Sequence, residues 1–349
     1  MTLRPLITVC IPAYNRARYL SPLLESILEQ DFTNFNILIC EDHSPERSDL
    51  AQIVLQFQER YPSKIQYFEN PDNLGYDGNI RKLIELSVGE FCVFMGNDDL
   101  MCPGALASIA SAIQLAPNCG VVVRSYASFE EDPSQPKQIY RYFPTVYAIP
   151  QGLLAIATAY RRSVVISGMV INRDAALLLA TNRFDGTLLY QLYLVGMMLA
   201  SKGVVFTPDI IALRRDGTPP DFGNSAVEKG KFVPNDQTPE SSIHFMEGMI
   251  AIAKYVEITT GLAVFNPIRH DIGSYSYPIL SIQAKRAPLI FFRYGLQLAK
   301  LGLWRSPLFY AYFLSLLTLG PNRVDNVIKF IKSKMGFTPR FGVASKGSK

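Results

Sequence analysis

The sequence predicts an α/β protein with a mostly parallel central sheet flanked by helices, followed by a helical C-terminal region. In the first half of the chain, short apolar runs alternate with amphipathic stretches, which is typical of parallel sheets covered on both faces. After Ser242 the apolar residues recur at helical spacing. The length of 349 residues allows about two domains, which we place at residues 1–240 and 241–349.

The alternation predicts each element in turn. The first apolar and β-branched run, Leu6–Ile11, ends at Pro12 and suits a buried parallel strand. Further strands are predicted, in chain order, at Phe35–Cys40, Ile65–Phe68, Phe91–Met95 and Val121–Val123. Leu and Ile at helical spacing predict the intervening helices over Tyr19–Gln30, Asp49–Arg60, Ile80–Leu86 and Leu106–Leu115.

Farther along the chain the pattern is less regular. Residues Ser163–Asn172 form another strand-like run, and Leu188–Ala200 is apolar enough to be a buried helix. Residues Arg214–Pro239 are rich in Gly, Pro, Asn and Asp, which predicts a long loop. Long loops in compact domains are usually functional or disordered, so this one is a candidate lid over a site.

Composition and charge exclude several classes of protein. Hydrophobic residues make up 48% of the chain and charged residues 18%, which excludes a disordered protein. The net charge of +4 is unevenly placed, because residues 284–349 carry +11 and residues 1–283 carry −7. The basic residues of this tail lie among bulky apolar side chains. That mixture argues against a nucleic-acid binder and indicates an anionic membrane surface as partner.

The lack of a secretory signal and the placement of the cysteines indicate an intracellular protein. Met1–Leu6 runs into the first strand without a cleavage site, so no secretory signal is expected. Three of the five Cys (Cys10, Cys40, Cys92) lie in apolar runs and are predicted to be reduced core residues. The seventeen uncharged residues Ser306–Asn322 are at the lower limit for a membrane span. We expect them to be re-entrant or to lie on a membrane surface.

Polar segments follow the first four predicted strands. Ligands of open α/β sheets bind beyond the carboxyl ends of the strands, so we expect these segments to converge on one rim. They are Pro12–Arg16, Glu41–Ser44, Asn70–Gly75 and Gly96–Asp99. None is a G-x-G-x-x-G or G-x-x-x-x-G-K-[ST] loop, which argues against a dinucleotide enzyme and a P-loop NTPase. The three His are too widely spaced in the chain to indicate a His-based metal site.

The adjacent acids Asp98 and Asp99 are the strongest candidates for a site. Two carboxylates at the end of an apolar strand are costly unless a cation lies beside them. Mg²⁺ and Mn²⁺ typically bind through one or two carboxylates plus substrate phosphates, so these acids are candidate metal ligands. The alternative is that one of them caps the helix that starts near Pro103.

Two other strand ends carry weaker signals. Asp42 could accept hydrogen bonds from a ribose hydroxyl or a base N–H, or it could be an ordinary turn residue before Pro45. Asn73 and Gly75 precede a helix. They are either a simple turn or a place where the backbone approaches a ligand closely at Gly75.

Together, these segments resemble the family 2 glycosyltransferases with the GT-A fold, a Rossmann-like arrangement, here with a C-terminal helical extension. The residues that carry the resemblance are Ile11–Arg16, Glu41–Ser44, Asn73–Gly75 and Gly96–Asp99 with Pro103 following. The likeness covers about the first 120 residues closely. Farther along, Ser167-Gly168 and Arg214–Asp216 resemble the abequosyltransferase-like group, which transfers deoxysugars.

The resemblance implies a role for each matched position. A divalent ion, Mn²⁺ or Mg²⁺, would be held by Asp98 and Asp99. The nucleotide-sugar would be bound by Pro12, Ala13, Tyr14, Asn15, Arg16, Asp42, Asn79, Asn97 and Asp98. Apart from the resemblance, Arg214 or Arg215 could contact the diphosphate, because guanidinium groups suit phosphate. Two positions depart from the family pattern, because Gly78 stands where an Arg often precedes the Asn and Gly96 replaces a leading Asp.

The catalytic base departs from the family pattern. Inverting members of the family use a Glu-Asp pair, and the comparable window Arg183–Gln191 contains none. Asp185 is therefore our nominee, with Asp216 and Asp221 as alternatives. Asp185 could instead cap the helix predicted to begin at Leu188.

We therefore expect an inverting glycosyltransferase that moves a sugar from a nucleotide-diphospho-sugar to a saccharide acceptor. We expect this acceptor to be polyprenyl-linked and the reaction to belong to bacterial surface polysaccharide synthesis, such as that of O-antigen. It would be cytoplasmic and peripheral at the inner face of the cell membrane, docked through Arg293, Lys300 and Arg305 among apolar residues. The alternative for this region is a helical subdomain packed on the core. Two other functions stay open, a catalytically inactive nucleotide-sugar or glycan-binding protein and a nucleotidyltransferase.

Overall fold

The structure, a computed structural model, describes residues 4–335, except for the side chains of Lys329 and of residues 331–335. Within this part of the chain ten strands form one sheet. In chain order they are β1 Ile7–Ala13, β2 Phe35–Glu41, β3 Ile65–Glu69, β4 Phe91–Phe94, β5 Leu100–Met101, β6 Cys119–Phe129, β7 Gln138–Tyr140, β8 Tyr147–Ile149, β9 Val170–Asn172 and β10 Gly203–Arg215.

The helices of the described chain fall into two groups. Those that cover the sheet are α1 Leu20–Leu28, α2 Arg47–Arg60, α3 Gly75–Leu86, α4 Ala105–Leu115, α5 Leu153–Ala159, α6 Arg173–Leu178 and α7 Tyr190–Met198. Those of the C-terminal region are α8 Pro239–Thr260, α9 Phe265–Ser274, α10 Tyr277–Gln283, α11 Pro288–Lys300, α12 Pro307–Leu319 and α13 Pro321–Met335.

The order of the strands determines where a ligand can bind. It is β3-β2-β1-β4-β9-β6-β10-β5, with β7 paired to β6 and β8 to β10. Strands β1 to β4 are parallel, whereas β9 runs antiparallel to both of its neighbours. The chain reverses direction across the sheet at β1, which lies between β2 and β4. Ligands of open α/β sheets bind beyond the carboxyl ends of the strands at such a reversal.

Alternate side chains of β1 stabilise both layers of the protein. Val9 and Ile11 pack with α1, α2 and α4 on one face of the sheet, and Cys10 packs with α3 and α7 on the other. All three are completely buried, and burying a side chain of this size contributes about 1.5–3 kcal/mol. Cys10, Cys40 and Cys92 are buried free thiols, which confirms the prediction made for them.

The α/β architecture and the first four strands are confirmed, and three other predictions are wrong. Helix α3 begins at Gly75 rather than Ile80, because two glycines weaken the helical signal of its first turn. The run Ser163–Asn172 is a strand only over β9. Strand β10 was not predicted, and its end takes in Arg214 and Arg215 of the predicted loop. Pro208 within the apolar run argues against a strand, so the sequence pattern does not predict β10. The strand shifts register between Thr207 and Ile210.

The described part of the C-terminal region is helical. Helix α12 packs on α9, α10 and α11 through Phe309, Phe313 and Leu316, while Tyr310 and Leu314 on its other side are exposed. The uncharged segment Ser306–Asn322 is thus a surface helix with one apolar face against the protein and one outward. Among residues 4–335, no helix is both long enough and apolar enough to cross a membrane.

Candidate active site

A cavity of about 660 Å³ lies beyond the carboxyl ends of β1, β2 and β4. All four predicted polar segments contribute to its wall, so they do converge. The predicted residues in the wall are Pro12, Ala13, Tyr14, Arg16, Asp42, Asn73, Gly75, Asn79, Asn97, Asp98, Asp99, Arg214, Arg215, Asp216 and Asp221. Asn15 does not line the cavity, but its backbone carbonyl accepts a hydrogen bond from Asn97 Nδ2 at 2.8 Å.

Asp98 and Asp99 are each held by a defined partner. Arg16 Nη1 donates to Asp98 Oδ2 over 2.6 Å. Ser167 Oγ donates to Asp99 Oδ2, and the backbone N–H of Arg215 donates to Asp99 Oδ1 over 2.7 Å. Burial, followed by the charge of Asp98, raises the pKa of Asp99 to about 7. A carboxyl in this state loses its proton readily when a cation binds beside it.

The helix-cap alternative for these acids is excluded. Helix α4 begins at Ala105, its N-cap residue is Gly104, and no side chain caps it by a hydrogen bond. Neither carboxylate is therefore needed to form the helix that follows.

Arginines lie beside the carboxylates in the same wall. Arg16 also donates to the Pro219 carbonyl over 2.8 Å, and Arg215 Nε donates to the Asp98 carbonyl over 3.1 Å. Arg214 forms an ion pair with Asp216. Guanidinium groups bind phosphate through paired N–H donors, so this wall can receive an anion as well as a cation.

Asp42 is buried beyond β2, and the turn there is made by its neighbour. Glu41 accepts hydrogen bonds from the N–H groups of His43 and Ser44 at 3.0 and 2.7 Å, which leaves Asp42 free of that role. Asp42 Oδ1 accepts from Asn70 Nδ2 at 2.8 Å and from the Leu74 N–H at 2.9 Å. Burial is the main cause that raises the pKa of Asp42 to about 6.

The turn before α3 explains why residue 75 is a glycine, and no ligand is needed for this explanation. Asn73 Oδ1 accepts a hydrogen bond from the Gly75 N–H at 2.9 Å, which closes the turn. Gly75 has φ +75°, and a Cβ there would lie 2.5 Å from Ser225 Oγ. The close approach at this glycine is therefore made by the chain's own later residues. Asn79, one turn along α3, donates to the Cys40 carbonyl over 3.0 Å and lines the cavity.

Asp185 lies outside the cavity wall. Both of its oxygens accept from the guanidinium of Arg81, at 2.6 and 2.8 Å. It does not cap α7, since no side chain caps that helix by a hydrogen bond. Its position gives no support to the role of catalytic base, which stays a prediction. Within the window Arg183–Gln191, the residues that line the cavity are Leu188 and Gln191, neither of which ionises.

The segment between β10 and α8, residues 216–238, forms part of the wall, where a loop was predicted. Asp221 Oδ2 accepts from Asn15 Nδ2 at 2.6 Å, which ties this segment to the end of β1. Glu228, which sequence reasoning missed, is buried and accepts from the N–H groups of Tyr76 and Gly223 at 2.7 and 2.9 Å. The sequence gives no local signal for Glu228, because Tyr76 lies 152 residues away.

The C-terminal region also contributes to the cavity, which the sequence did not indicate. Its apolar contributions are Phe245 of α8 and Ile279 and Ile282 of α10. Together with Val164, Val165 and Ile166, they give the cavity an apolar part as well as its polar part. The proposed domain boundary at residue 240 therefore does not separate the site from the helices that follow.

The cavity wall offers the oxygen ligands that a divalent ion prefers. Asp98 and Asp99 are adjacent oxygen donors that both line the cavity, and Arg16 engages only Oδ2 of Asp98. No cluster of three or more His, Cys, Asp or Glu able to hold a metal by itself occurs among residues 4–335. Two carboxylates and substrate phosphates are a common set of ligands for Mg²⁺, so a bound substrate would complete the site.

Comparison with known proteins agrees with this geometry. Residues 8–178 match the model of a family described as Glycosyl transferase family 2. Abequosyltransferase RfbV of Salmonella typhimurium is 35% identical over 102 residues, which are 29% of this chain and 31% of that protein. The GalNAc(5)-diNAcBac-PP-undecaprenol beta-1,3-glucosyltransferase of Campylobacter jejuni is 32% identical over 106 residues, 30% of this chain and 33% of that protein. The matched part spans about a third of the length of these relatives.

Solved structures share the fold over most of the chain. Residues 1–349 of S. aureus TarS, in complex with UDP-GlcNAc, superpose with a TM-score of 0.54 at 16% identity, covering 97% of this chain and 94% of that one. The mannosyltransferase PcManGT from Pyrobaculum calidifontis, in complex with GDP-Man and Mn²⁺, gives 0.52 at 16% identity, covering 91% and 88%. At this identity the likeness concerns the fold, which is GT-A with a helical C-terminal part. Residues 8–178, just under half of the chain, are thus similar to the glycosyl transferase family 2.

Proposed function

We propose that this chain is an inverting glycosyltransferase that moves a sugar from a nucleotide-diphospho-sugar to a saccharide acceptor. The observation that carries the proposal is the pair Asp98 and Asp99, which shares one cavity wall with Arg16, Arg214 and Arg215. Carboxylates that can hold a cation and guanidinium groups that can hold phosphate are what a nucleoside diphosphate requires. The family match over residues 8–178 supports the same activity.

The donor would lie along the strand ends. Its nucleoside would contact Pro12, Ala13 and Tyr14, with the ionised Asp42 accepting a hydrogen bond from the ribose or the base. Its diphosphate would lie toward Asp98 and the arginines, whose charge offsets the charge that develops on the departing nucleoside diphosphate. Mn²⁺ or Mg²⁺, held by Asp98 and Asp99, would supply further neutralisation of that charge.

Several acids of the wall are poorly placed to act as the base. Asp216 is paired with Arg214 and Asp236 with Arg286, so a guanidinium already occupies each of these carboxylates. Glu228 is occupied by two backbone N–H groups. An acceptor hydroxyl would have to displace one of these partners to reach any of the three carboxylates.

We assign the base to Asp221. Its oxygens accept from neutral amides, Asn15 Nδ2 at 2.6 Å and Asn224 Nδ2 at 3.0 Å, and it lines the cavity. Among the side chains that the structure describes, none forms an ion pair with Asp221. The two amides hold the carboxylate in a fixed orientation, and no positive charge of the described side chains competes for it. General base catalysis requires such a positioned acceptor.

The acceptor is proposed to be a lipid-linked saccharide, and the protein to be peripheral at the cytoplasmic face of the membrane. The printed name of the Campylobacter relative includes an undecaprenol diphosphate, which supports such an acceptor. In the C-terminal region, the apolar side chains of Phe292, Leu296 and Trp304 are 42–50% exposed near the basic residues Arg293 and Arg305. Exposed apolar and cationic side chains suit an anionic membrane surface. We place the reaction in bacterial surface polysaccharide synthesis such as that of O-antigen.

A second candidate function is nucleotide-sugar binding without turnover. The observation in its favour is Gln191, which lines the cavity within the window where the resemblance places a Glu-Asp pair. A carboxamide cannot act as a general base at neutral pH. This candidate predicts ligand binding but no release of nucleotide.

A binding screen followed by a turnover assay tests the proposal. UDP-, GDP-, CDP- and dTDP-sugars, with and without Mn²⁺, are added in a thermal-shift experiment. A ligand at about 100 times its Kd adds about 2.7 kcal/mol to the free energy of unfolding, so the correct donor should raise the Tm clearly. No shift with any donor contradicts the proposal. A shift without release of nucleoside diphosphate, in the presence of acceptor glycolipid from a producing strain, favours the second candidate.

A further inference from the structure

A stripe of side chains leads from the cavity to the surface of the C-terminal region. Ile279 and Ile282 of α10 line the cavity, and Ile282 is also 44% exposed. Lys285 and Arg286 follow one turn later, and then Leu289 of α11, which is 60% exposed. Along this stretch an apolar wall is thus followed by two cations and then by an apolar surface.

Arg286 is fixed at the rim of the cavity. Its Nη2 lies 3.1 Å from Asp236 Oδ1 and donates to the Gln237 carbonyl over 3.2 Å, and both of these residues line the cavity. The buried Gln283 accepts from Arg286 Nε at 2.8 Å. The Arg286 and Asp236 side chains are partly exposed, and exposed ion pairs contribute little to stability. Arg286 can therefore exchange this carboxylate for a ligand anion at low cost.

The apolar surface beyond the two cations is continuous along α11. Leu289, Phe292 and Leu296 are exposed and recur at intervals of three and four residues, which places them on one side of the helix. Arg293 and Lys300 are exposed on the same helix. No acid occurs in α11 to offset these positive charges.

We propose that Lys285 and Arg286 bind the phosphate groups of a lipid-linked acceptor, whose saccharide enters the cavity and whose hydrocarbon lies along α11. This inference rests on the proposed function, because it concerns the acceptor side of the same cavity. In such an amphiphile the phosphate stands between sugar and hydrocarbon, which is the order of the cavity, the two cations and the apolar surface. A free phosphate would leave the apolar side chains of Ile282 and Leu289 without a partner. The order of these surfaces therefore favours a lipid-linked phosphate over a free one.

Binding of three probes to the full chain tests the inference. The probes are farnesyl diphosphate below its micelle concentration, inorganic pyrophosphate and farnesol. Binding is followed by titration calorimetry and by the emission of Trp304, which is the one tryptophan of the sequence and is 50% exposed. Farnesyl diphosphate should bind at least tenfold more tightly than either of the other probes. Equal affinity for pyrophosphate and farnesyl diphosphate would overturn the inference.

Substitutions locate the site. Lys285→Ala combined with Arg286→Ala should weaken farnesyl diphosphate at least tenfold, because charge-assisted hydrogen bonds are lost. Lys285→Glu, at an exposed position, should weaken it without affecting folding. Lys254→Ala removes an exposed cation of α8 as the matched control and should change nothing. Unchanged affinity in the Lys285 and Arg286 variants overturns the inference.

The donor screen on the same protein separates the two claims. A thermal shift with a nucleotide-sugar, but no preference for farnesyl diphosphate, overturns the inference and leaves the proposed function standing. A preference for farnesyl diphosphate that depends on Lys285 and Arg286, with no shift by any nucleotide-sugar, overturns the proposed function instead. Saturating nucleoside diphosphate should not compete with farnesyl diphosphate, since the two diphosphates are assigned to different parts of the cavity.

Discussion

Arg16, just beyond β1, holds Asp98, just beyond β4, with Nη1 of the arginine 2.6 Å from Oδ2 of the acid. The two residues are 82 positions apart in the chain and meet because β1 and β4 are adjacent parallel strands. Arg16 also donates to the carbonyl of Pro219 in the segment between β10 and α8. One guanidinium thus joins the two strand ends to the segment that lies over them.

The assignment of the base predicts opposite outcomes for two isosteric substitutions. Asp221→Asn should lower kcat at least about 100-fold, the usual contribution of a general base, with little change in donor affinity. Asp185→Asn should leave kcat within about threefold, because Asp185 lies outside the cavity and is paired with Arg81. Steady-state kinetics of both variants check this. A large loss of kcat in Asp185→Asn alone would restore Asp185 as the base.

The local parts of this site were predictable from sequence, and its long-range contacts were not. Asp42, Asp98 and Asp99 follow strands whose apolar runs are plain in the sequence, and strand order alone brings them to one rim. Glu228 and Asp221 reach the rim through contacts with Tyr76 and Asn15, 152 and 206 residues away. No periodicity or motif encodes such a contact, since it depends on how the whole chain folds.

Strand β10 shows a second limit of local patterns. It spans 13 residues and pairs with β6 and β8, but Pro208 and the polar Asp209 interrupt its apolar run. Tertiary pairing on both sides overrides that interruption. The arginines at its end were recognised as candidates for diphosphate binding, but were expected in a loop instead of a strand.

The hydrogen bonds of Asp77 predict that its substitution causes a large loss of stability. This buried carboxylate of α3 accepts hydrogen bonds at 2.8–3.0 Å from four backbone N–H groups between residues 186 and 190. Asp77→Ala leaves buried donors without a partner and should lower the free energy of unfolding by at least about 3 kcal/mol. Urea denaturation measures it, with the exposed Asp72→Ala as control. A loss equal to that of the control would contradict the role given to Asp77.

The raised pKa of Asp42 predicts a pH dependence of donor binding. An acid with a pKa of about 6 is ionised above that pH and protonated below it. If its carboxylate accepts a hydrogen bond from the nucleoside, the contribution of Asp42 to affinity is constant well above pH 6 and falls by up to about tenfold per unit below it. Titrations between pH 5 and 8 should show this fall in the wild type relative to Asp42→Asn. The comparison isolates Asp42, because Asp99 titrates in both proteins. Parallel curves for the two proteins would exclude Asp42 from the nucleoside site.

Membrane docking predicts binding to anionic vesicles that weakens with salt. Phe292→Ser combined with Leu296→Ser removes exposed apolar side chains from α11 and should release most of the protein from vesicles in a sedimentation assay. Raising the ionic strength should weaken wild-type binding, because salt screens exposed charges. Ile258→Ser removes a still more exposed apolar side chain, 81% exposed, from α8 and should have no effect. Vesicle binding that is insensitive to both the α11 substitutions and salt argues against this surface.

The most direct test of the central claim is the release of nucleoside diphosphate from the donor identified by thermal shift, measured with Mn²⁺ and acceptor glycolipid. The wild type should turn over, and Asp98→Asn combined with Asp99→Asn should reduce turnover at least about 100-fold, because the developing charge loses its neutralisation. Asp209→Asn, whose carboxylate accepts from Ser108 away from the cavity, should behave as wild type. Full turnover in the Asp98/Asp99 variant would contradict the account.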